Sequence, residues 1–237
     1  MLLYIVRHGN PDYATDSLTE IGKTQAEAVV HRFQTIGLDR IFSSPMGRAR
    51  ETAAPTAQAL GLPVEIRPFM SEATAWKHFT LLNEEGKRIW ASDQHGLALG
   101  DPTLLTSHDS FVHGFYGDDA LARQGFAELA AASDEFLAEL GYRRVGNTCA
   151  YRQEGEPPKR VAAFCHAGFG MHWLSFLLGI PPHIFTSAVH YPHTGISLIQ
   201  FELGKDGLFY PRLLQHADLS HLAMAGMPYV YNSTQPI

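Results

Sequence analysis

The sequence predicts an α/β fold with a mostly parallel central sheet and helices on both of its faces. The first 66 residues alternate in the order strand, helix, strand, helix, strand, which is typical of a parallel sheet covered by helices. A further strand and helix follow Arg160. The chain has 237 residues, of which 45% are hydrophobic. This is enough for one well-filled core, and we expect a single domain over residues 1–237.

The first part of the chain carries clear local signals. Ala26, Val30 and Phe33 recur at i, i+4 and i+7, which places them on one face of a helix. Glycines mark the points where helices end. The predicted elements are a strand at 1–6, a helix from Thr19 to Gly37, a strand at 40–44, a helix ending at Gly61 and a strand at 62–66.

The stretch from about residue 68 to residue 118 lacks this periodicity. It is rich in Gly, His, Asp and aromatic residues, and we expect an irregular insertion. The aromatic content favours a cap that covers a functional site and sets substrate choice, so that substituting Trp76 or Tyr116 should change the discrimination between substrates. Regular patterns then return as a helix ending at Gly141, a strand at 160–165, a helix from Gly168 to Leu178 and strands at 196–201 and 208–214.

Composition excludes several classes of protein. The net charge is −6 and no basic block occurs, which argues against a nucleic-acid partner. The two cysteines do not make a disulfide framework. The apolar start is too short for a signal peptide, and no apolar stretch reaches transmembrane length. We therefore expect a soluble, cytoplasmic protein with no membrane partner; its oligomeric state is left open.

Three strand ends carry the chemistry. The first strand runs into Arg7, His8 and Gly9, and the strand at 160–165 runs into His166. Parallel strands end at the same edge of a sheet, so we expect both imidazoles there. Arg48, in the first turn of the helix after the second strand, reaches the same edge. Histidine can act as a nucleophile or base, arginine suits phosphate, and helix N-termini favour anions.

This combination resembles the histidine phosphatase superfamily, in its phosphoglycerate-mutase-like branch. The resemblance covers the first third of the chain densely, the region after Arg160 well and the insertion poorly. The segments that carry it are Arg7-His8-Gly9, Leu18 to Ala26, Ser43-Ser44-Pro45 with Arg48-Ala49 and Glu51-Thr52, Gly61 to Val64, and His166-Ala167-Gly168.

The resemblance implies phosphoryl transfer through a phosphohistidine. His8 matches the family nucleophile, Arg7 and Arg48 its phosphate-binding arginines, and His166 its second histidine. Cationic neighbours would keep the attacking nitrogen of His8 unprotonated. Three further residues are candidate substrate contacts, namely Gly9, Asn10 and Thr194.

The general acid has several candidates. In the mutase-like branch it is usually a Glu just after the third strand, and Glu72 matches that place. The other candidates are Glu84, Glu85, Asp12 and Asp16. In the acid-phosphatase branch an Asp follows the second histidine directly; here Ala167 stands instead, which argues against that branch.

The expected function is a metal-independent phosphomonoester hydrolase acting on a small phosphorylated metabolite, with no cofactor. His172, His190 and His193 lack coherent metal-ligand spacing, and we interpret them as packing or pocket residues. The alternatives are a phosphotransferase of mutase type and a non-catalytic protein that binds a phosphorylated ligand. The residues that mutases often carry after the first strand are missing, which favours the phosphatase.

Overall fold

The computed structural model describes residues 1–228, 230–232 and 235–236. Its main sheet has eight strands in the spatial order β5-β4-β10-β1-β11-β12-β9-β8. The strands are β1 (Leu2–Arg7), β2 (Pro11–Asp12), β3 (Ser17–Leu18), β4 (Arg40–Ser43), β5 (Val64–Ile66), β6 (Thr80–Leu82), β7 (Arg88–Trp90), β8 (Tyr142–Arg144), β9 (Tyr151–Gln153), β10 (Arg160–Cys165), β11 (Ile196–Leu203), β12 (Phe209–Asp218), β13 (Val230–Asn232) and β14 (Gln235–Pro236).

The main sheet is mixed, and most of its strands run in one direction. Strands β5, β4, β10 and β1 are mutually parallel. On the other side of β1, each successive pair from β1 through β11, β12 and β9 to β8 is antiparallel. Strands β11 and β9 therefore run in the opposite direction to the other six. The predicted α/β class and the predicted main strands are confirmed. The short pairs β2–β3, β6–β7 and β13–β14 form small sheets of their own.

Helices cover both faces of the sheet. They are α1 (Glu20–Ile36), α2 (Gly47–Leu60), α3 (Glu72–Phe79), α4 (His95–Gly100), α5 (Pro102–Leu105), α6 (Asp119–Glu139), α7 (Ala167–Leu178), α8 (Pro182–Ala188) and α9 (Ser220–Met224). Side chains of a strand alternate between its two faces. In β1, Tyr4 and Val6 therefore pack in a cluster with α1 and α2 residues. Leu3 and Ile5 pack on the other side, in a cluster with α6 and α7 residues.

The helix ends follow the sequence signals. The Thr19 side chain accepts a hydrogen bond from the backbone N–H of Gly22 and caps α1. Gly61 and Gly179 end α2 and α7 in the left-handed conformation that glycine adopts without a Cβ clash. Among the described residues, no helix combines the length and apolarity that crossing a bilayer requires.

The insertion at 68–118 differs from the irregular segment that was expected. It contains α3, the β6–β7 hairpin, α4 and α5, and these elements are too short to show periodicity in the sequence. Met70, Phe79 and Phe115 are buried in the same cluster as the β1 and α7 side chains. The insertion therefore packs directly on the sheet-and-helix framework. The single-domain organisation stays a prediction.

Candidate active site

The parallel ladder between β1 and β10 brings His8 and His166 together. Arg7 pairs with Cys165 at the end of the ladder, and the next residue on each strand is a histidine. The backbone N–H of His8 donates to the Cys165 carbonyl at 2.9 Å. The two imidazole ring centroids lie 5.1 Å apart. Sheet register alone thus accounts for this half of the site.

The hydrogen bonds of His8 define which nitrogen carries its proton. The Arg48 Nε–H donates to His8 Nε2 at 3.2 Å, and a guanidinium group has no acceptor. His8 Nε2 is therefore unprotonated, and Nδ1–H donates to the Gly9 carbonyl at 2.7 Å. Burial, with Arg7 and His166 next in importance, holds the pKa of His8 well below its usual range. His8 thus presents a lone pair at Nε2 and stays neutral near pH 7.

Arg48 is oriented by Asp16. Asp16 Oδ1 accepts from Arg48 Nη1 at 2.5 Å, and Asp16 Oδ2 accepts from the Gly47 backbone N–H at 2.7 Å. The guanidinium also lies over the Tyr13 ring, 5.4 Å from its centroid. Asp16, which the sequence offered as a candidate acid, is thus occupied in positioning Arg48 at the start of α2.

Arg7 is held by the segment before β11. Its Nη1–H donates to the Tyr191 carbonyl at 2.5 Å, and its Nη2 lies 2.9 Å from His193 Nε2. Because arginine can only donate, His193 Nε2 must accept. Burial, followed by the charge of Arg7, lowers the pKa of His193 to about 3 and keeps it neutral. Sequence analysis treated His193 as a packing or pocket residue; its position just before a strand that neighbours β1 was the available signal.

Two polar atoms beside this cluster have no partner. The Nε of Arg7 and the Nδ1 of His166 are buried without a hydrogen bond to any described residue. His166 Nε2 shares a 2.8 Å hydrogen bond with the Ser44 hydroxyl, which also accepts from the Met46 backbone N–H. When the Ser44 hydroxyl donates to Nε2, the proton of the neutral His166 ring is on Nδ1. The N–H groups of Arg7 Nε and His166 Nδ1 are then both free to donate to a bound oxyanion.

Glu72 brings a carboxyl group to the same place from the insertion. It is the first residue of α3, and its Oε1 and Oε2 accept from the backbone N–H groups of Gly168 and Phe169 at 3.0 and 2.8 Å. It therefore sits at the N-terminus of α7. Burial raises the pKa of Glu72, against the opposing effects of these two N–H groups and of Arg7 and Arg48.

These side chains line one cavity of about 480 Å³. Arg7, His8 and Arg48 supply its polar end, and Glu72 is the carboxyl group among its described lining residues. His166 lies next to it, against His8. The lining residues are Arg7, His8, Tyr13, Met46, Arg48, Glu72, Ala73, Trp76, Trp90 and Ala167.

Gly9 and Asn10 support the site from outside the cavity. A Cβ on Gly9 would lie 2.7 Å from the Gly22 carbonyl oxygen, so this glycine permits a close approach of two backbone segments rather than of a ligand. Its N–H donates to the Thr52 hydroxyl at 2.9 Å. The Asn10 side-chain oxygen accepts from the Thr19 hydroxyl at 2.8 Å. Neither residue lines the cavity, because both are bound into the loop before α1.

Thr194 also lies outside the cavity. It has a positive φ of 56°, and its N–H donates to the His8 carbonyl at 3.2 Å. Its hydroxyl donates to the His193 carbonyl at 2.7 Å. Thr194 thus fixes the backbone behind His8.

The remaining acid candidates are elsewhere. Asp12 Oδ1 accepts from the Ala14 backbone N–H at 2.9 Å, and Glu84 and Glu85 are exposed in the turn between β6 and β7. Tyr116, expected to influence substrate choice from the cap, is only 2% exposed. Its hydroxyl lies 3.3 Å from His172 Nε2, away from the cavity. Within the described part of the chain, no group of three His, Cys, Asp or Glu residues could hold a metal ion.

Sequence comparison gives a family match over the first part of the chain. Residues 3–96 match the profile of the histidine phosphatase superfamily, branch 1. The matched segment includes β1, α1, α2 and the first part of the insertion. The resemblance inferred from Arg7, His8 and Arg48 is confirmed.

The curated relatives match over only part of the chain. The probable phosphoglycerate mutase GpmB of Cronobacter sakazakii is 33% identical over 96 residues, which is 35% of this chain and 45% of the relative. The GpmB protein of Yersinia pestis is 38% identical over 79 residues, covering 30% of this chain and 37% of the relative. The match thus spans less than half the length of these relatives.

Solved structures share the whole fold at low identity. A phosphoserine phosphatase from Entamoeba histolytica, in complex with 3-phosphoglyceric acid, has a TM-score of 0.59 and 20% identity, over 93% of this chain and 98% of that one. A mycobacterial glucosyl-3-phosphoglycerate phosphatase has a TM-score of 0.56 and 22% identity, over 90% and 96% of the two chains. These similarities extend the fold assignment beyond residue 96.

Proposed function

We propose that this protein is a phosphomonoester hydrolase that acts on a small phosphorylated metabolite through a phosphohistidine at His8. The observation that carries the proposal is the state of His8: a neutral imidazole presents its Nε2 lone pair beside two arginines. A carboxyl group with a raised pKa lines the same cavity. A nucleophile, cations for a dianion and a proton donor are the three groups that phosphoryl transfer to an enzyme requires.

In the first step, His8 Nε2 attacks phosphorus and the bond from phosphorus to the ester oxygen breaks. Glu72 donates its proton to the departing oxygen, so that an alcohol leaves. Arg7 and Arg48 bind the non-bridging oxygens. They offset the charge that spreads over these oxygens in the transition state.

In the second step, the Glu72 carboxylate takes a proton from water, and the water oxygen attacks phosphorus. The bond between nitrogen and phosphorus breaks, the lone pair returns to Nε2, and inorganic phosphate leaves. The unpaired Nδ1–H of His166 is available to donate to a phosphoryl oxygen in both steps.

A mutase is the second candidate, because the matched relatives carry the name probable phosphoglycerate mutase. The mechanism differs only in the acceptor, which would be a hydroxyl of the retained substrate instead of water. The solved neighbours include phosphatases, and the sequence lacks residues common in mutases. Both observations favour hydrolysis.

A panel of sugar phosphates, nucleotides, phosphoglycerates and phosphopeptides, assayed with EDTA present, tests the proposal. We expect release of inorganic phosphate that EDTA does not abolish, and acid-labile, base-stable label on His8 after an acid quench. The His8→Ala variant should lose both, while His31→Ala, an exposed histidine of α1, should lose neither. Normal turnover by His8→Ala would rule out the phosphohistidine. Interconversion of phosphoglycerates without phosphate release would select the mutase.

Location, partners and metal requirement stay predictions from the sequence. Cys149 and Cys165 are free cysteines, which fits the reducing cytoplasm that we expect. The expected ligand is a small phosphorylated molecule, as in the names of the solved neighbours.

A further inference from the structure

The cavity beyond the phosphoryl end has an aromatic wall. Trp76 on α3 and Trp90 at the end of β7 meet edge to face, with ring centroids 4.9 Å apart and an interplanar angle of 85°. Trp90 is fixed against the start of α7, since a Cβ on Gly168 would lie 2.3 Å from its ring. Tyr13 and Met46 line the same cavity but lie against Arg48, nearer the phosphoryl end. The two tryptophan rings therefore form the apolar wall of the cavity.

The cavity is larger than a phosphoryl group needs. Its volume of about 480 Å³ lies within the range of roughly 300–1,000 Å³ found for sites that enclose drug-sized ligands. The phosphoryl group occupies the end at His8 and the two arginines. The remaining volume, along Trp76 and Trp90, is available to the alcohol portion of the substrate.

In the proposed mechanism, the positive charges that line the cavity bind the phosphoryl group. Among the described lining residues, Arg7 and Arg48 are the permanent cations, and both are needed by the phosphoryl dianion. A second anionic group on the substrate would find no cation, and an unpaired charge in such a place is costly.

Among the described lining residues of the neighbouring cavity, no further permanent cation stands beside Arg7. This cavity has a volume of about 780 Å³ and shares Arg7, Trp90 and Ala167 with the first. Its other ionisable lining residues are Asp93, which is acidic, His190 and Tyr191. Burial and the charge of Arg7 lower the pKa of His190, which favours its neutral form. Among the described lining residues of the two cavities, a carboxylate or a second phosphate therefore has no permanent cation other than Arg7 and Arg48.

We propose that the alcohol portion of the substrate is aromatic and carries no anionic group, and that it binds against Trp76 and Trp90. This inference rests on the proposed phosphatase function and specifies its substrate class. It separates the protein from enzymes that act on phosphoglycerates, whose substrates carry a carboxylate close to the phosphate.

The test compares esters whose alcohols are similarly poor leaving groups. The probes are ethyl phosphate, 2-phenylethyl phosphate, 3-phosphoglycerate and phosphocholine. We expect kcat/KM for 2-phenylethyl phosphate to exceed that for ethyl phosphate by about 10- to 100-fold, the gain from burying one phenyl ring. We expect 3-phosphoglycerate and phosphocholine to be poorer substrates than 2-phenylethyl phosphate.

Variants locate the preference. Trp76 is 38% exposed, so Trp76→Ala should fold, and it should reduce the ratio of the 2-phenylethyl to the ethyl rate about tenfold. Trp76→Phe should restore most of the ratio. Leu82→Ala, at an exposed position of the same insertion, is the matched control and should leave the ratio unchanged.

The outcomes distinguish the two proposals. Hydrolysis that favours 3-phosphoglycerate or phosphocholine over 2-phenylethyl phosphate would overturn this inference and leave the phosphatase intact. If Trp76→Ala leaves the ratio of the 2-phenylethyl to the ethyl phosphate rate unchanged, this inference is also overturned and the phosphatase proposal still stands. Failure to hydrolyse any phosphomonoester would overturn the phosphatase and this inference together.

Discussion

The substitution Glu72→Gln tests the role of the acid most directly. The two side chains have nearly the same shape, but glutamine has no proton to give to the leaving oxygen. Both carboxyl oxygens of Glu72 accept backbone N–H groups, from Gly168 and Phe169. Glutamine has one acceptor oxygen, so its NH₂ group must face one of these donors. The substitution therefore removes the proposed proton donor and weakens one of the two hydrogen bonds between this side chain and the start of α7.

The size of each effect follows from this geometry. General acid catalysis contributes about 10²- to 10⁴-fold, and we expect kcat/KM on ethyl phosphate to fall by at least about 10²-fold. On p-nitrophenyl phosphate, whose leaving group needs little protonation, we expect a loss of less than about tenfold. An unsatisfied N–H group should lower the free energy of unfolding by about 1–3 kcal/mol, measured by urea denaturation.

The pH profile supplies a second measurement. Burial raises the pKa of Glu72, so the carboxyl keeps its proton to a higher pH than an exposed one. The rate on ethyl phosphate should fall as pH rises through this raised pKa, because the ionised form cannot donate. The Glu72→Gln profile should lack this fall, and Glu85→Gln, in the exposed turn of the insertion, should retain it. Equal losses on both esters would assign Glu72 a positioning role and refute the acid.

Three other predictions concern Arg7 and Arg48, His193, and His172. Arg7→Lys and Arg48→Lys should each lower kcat/KM by about 10²-fold, because lysine keeps the charge but loses the forked donor; unchanged rates would refute the phosphate clamp. His193→Phe removes the acceptor for Arg7 Nη2 and should lower kcat/KM about tenfold, with a loss of about 1–3 kcal/mol in the free energy of unfolding because a buried donor is left unpaired; an unchanged rate would mean that Tyr191 alone orients Arg7. Burial lowers the pKa of His172 from 6.5 to about 4, so the folded protein binds fewer protons in that window and its unfolding free energy should fall as pH falls from 6.5 towards 4. Urea titrations at pH 7 and pH 5 measure this slope, His172→Gln should reduce it, and an equal slope in the variant would contradict the assignment.

Local sequence signals were enough to predict where Arg7, His8, Arg48 and His166 lie in the candidate site. The apolar strands that end at Arg7 and Cys165 were readable from composition, and parallel pairing then placed His8 beside His166 without further information. Arg48 was readable because a strand, a turn and a helix start precede it. Each of these side chains lies at the end of a strand or at the start of a helix. The residues next to it in the sequence are enough to predict that strand or helix.

The contacts that orient these groups could not be predicted in the same way. Arg7 and His193 are 186 positions apart in the chain, and Arg48 is bound by Asp16, a loop residue that itself has a positive φ. Such pairs depend on how loops close after the elements have packed. Tyr116 was singled out from composition as a residue of the cap, but composition could not show that its ring packs beneath the insertion, against Phe79 and His172.

Helix α3 carries two functional positions that are one turn apart. Glu72 and Trp76 are separated by four residues, which places them on the same side of the helix with Cβ atoms roughly 5–6 Å apart. The proposed donor of the leaving-group proton and the proposed binding surface for the alcohol therefore lie on one short helix. In this proposal, α3 fixes the distance between Glu72 and Trp76. A substrate ring can therefore contact Trp76, with its ester oxygen at Glu72, only when a short linker joins the ring to that oxygen. Lengthening that linker by a few methylene groups should uncouple recognition from protonation, with binding retained and turnover lost.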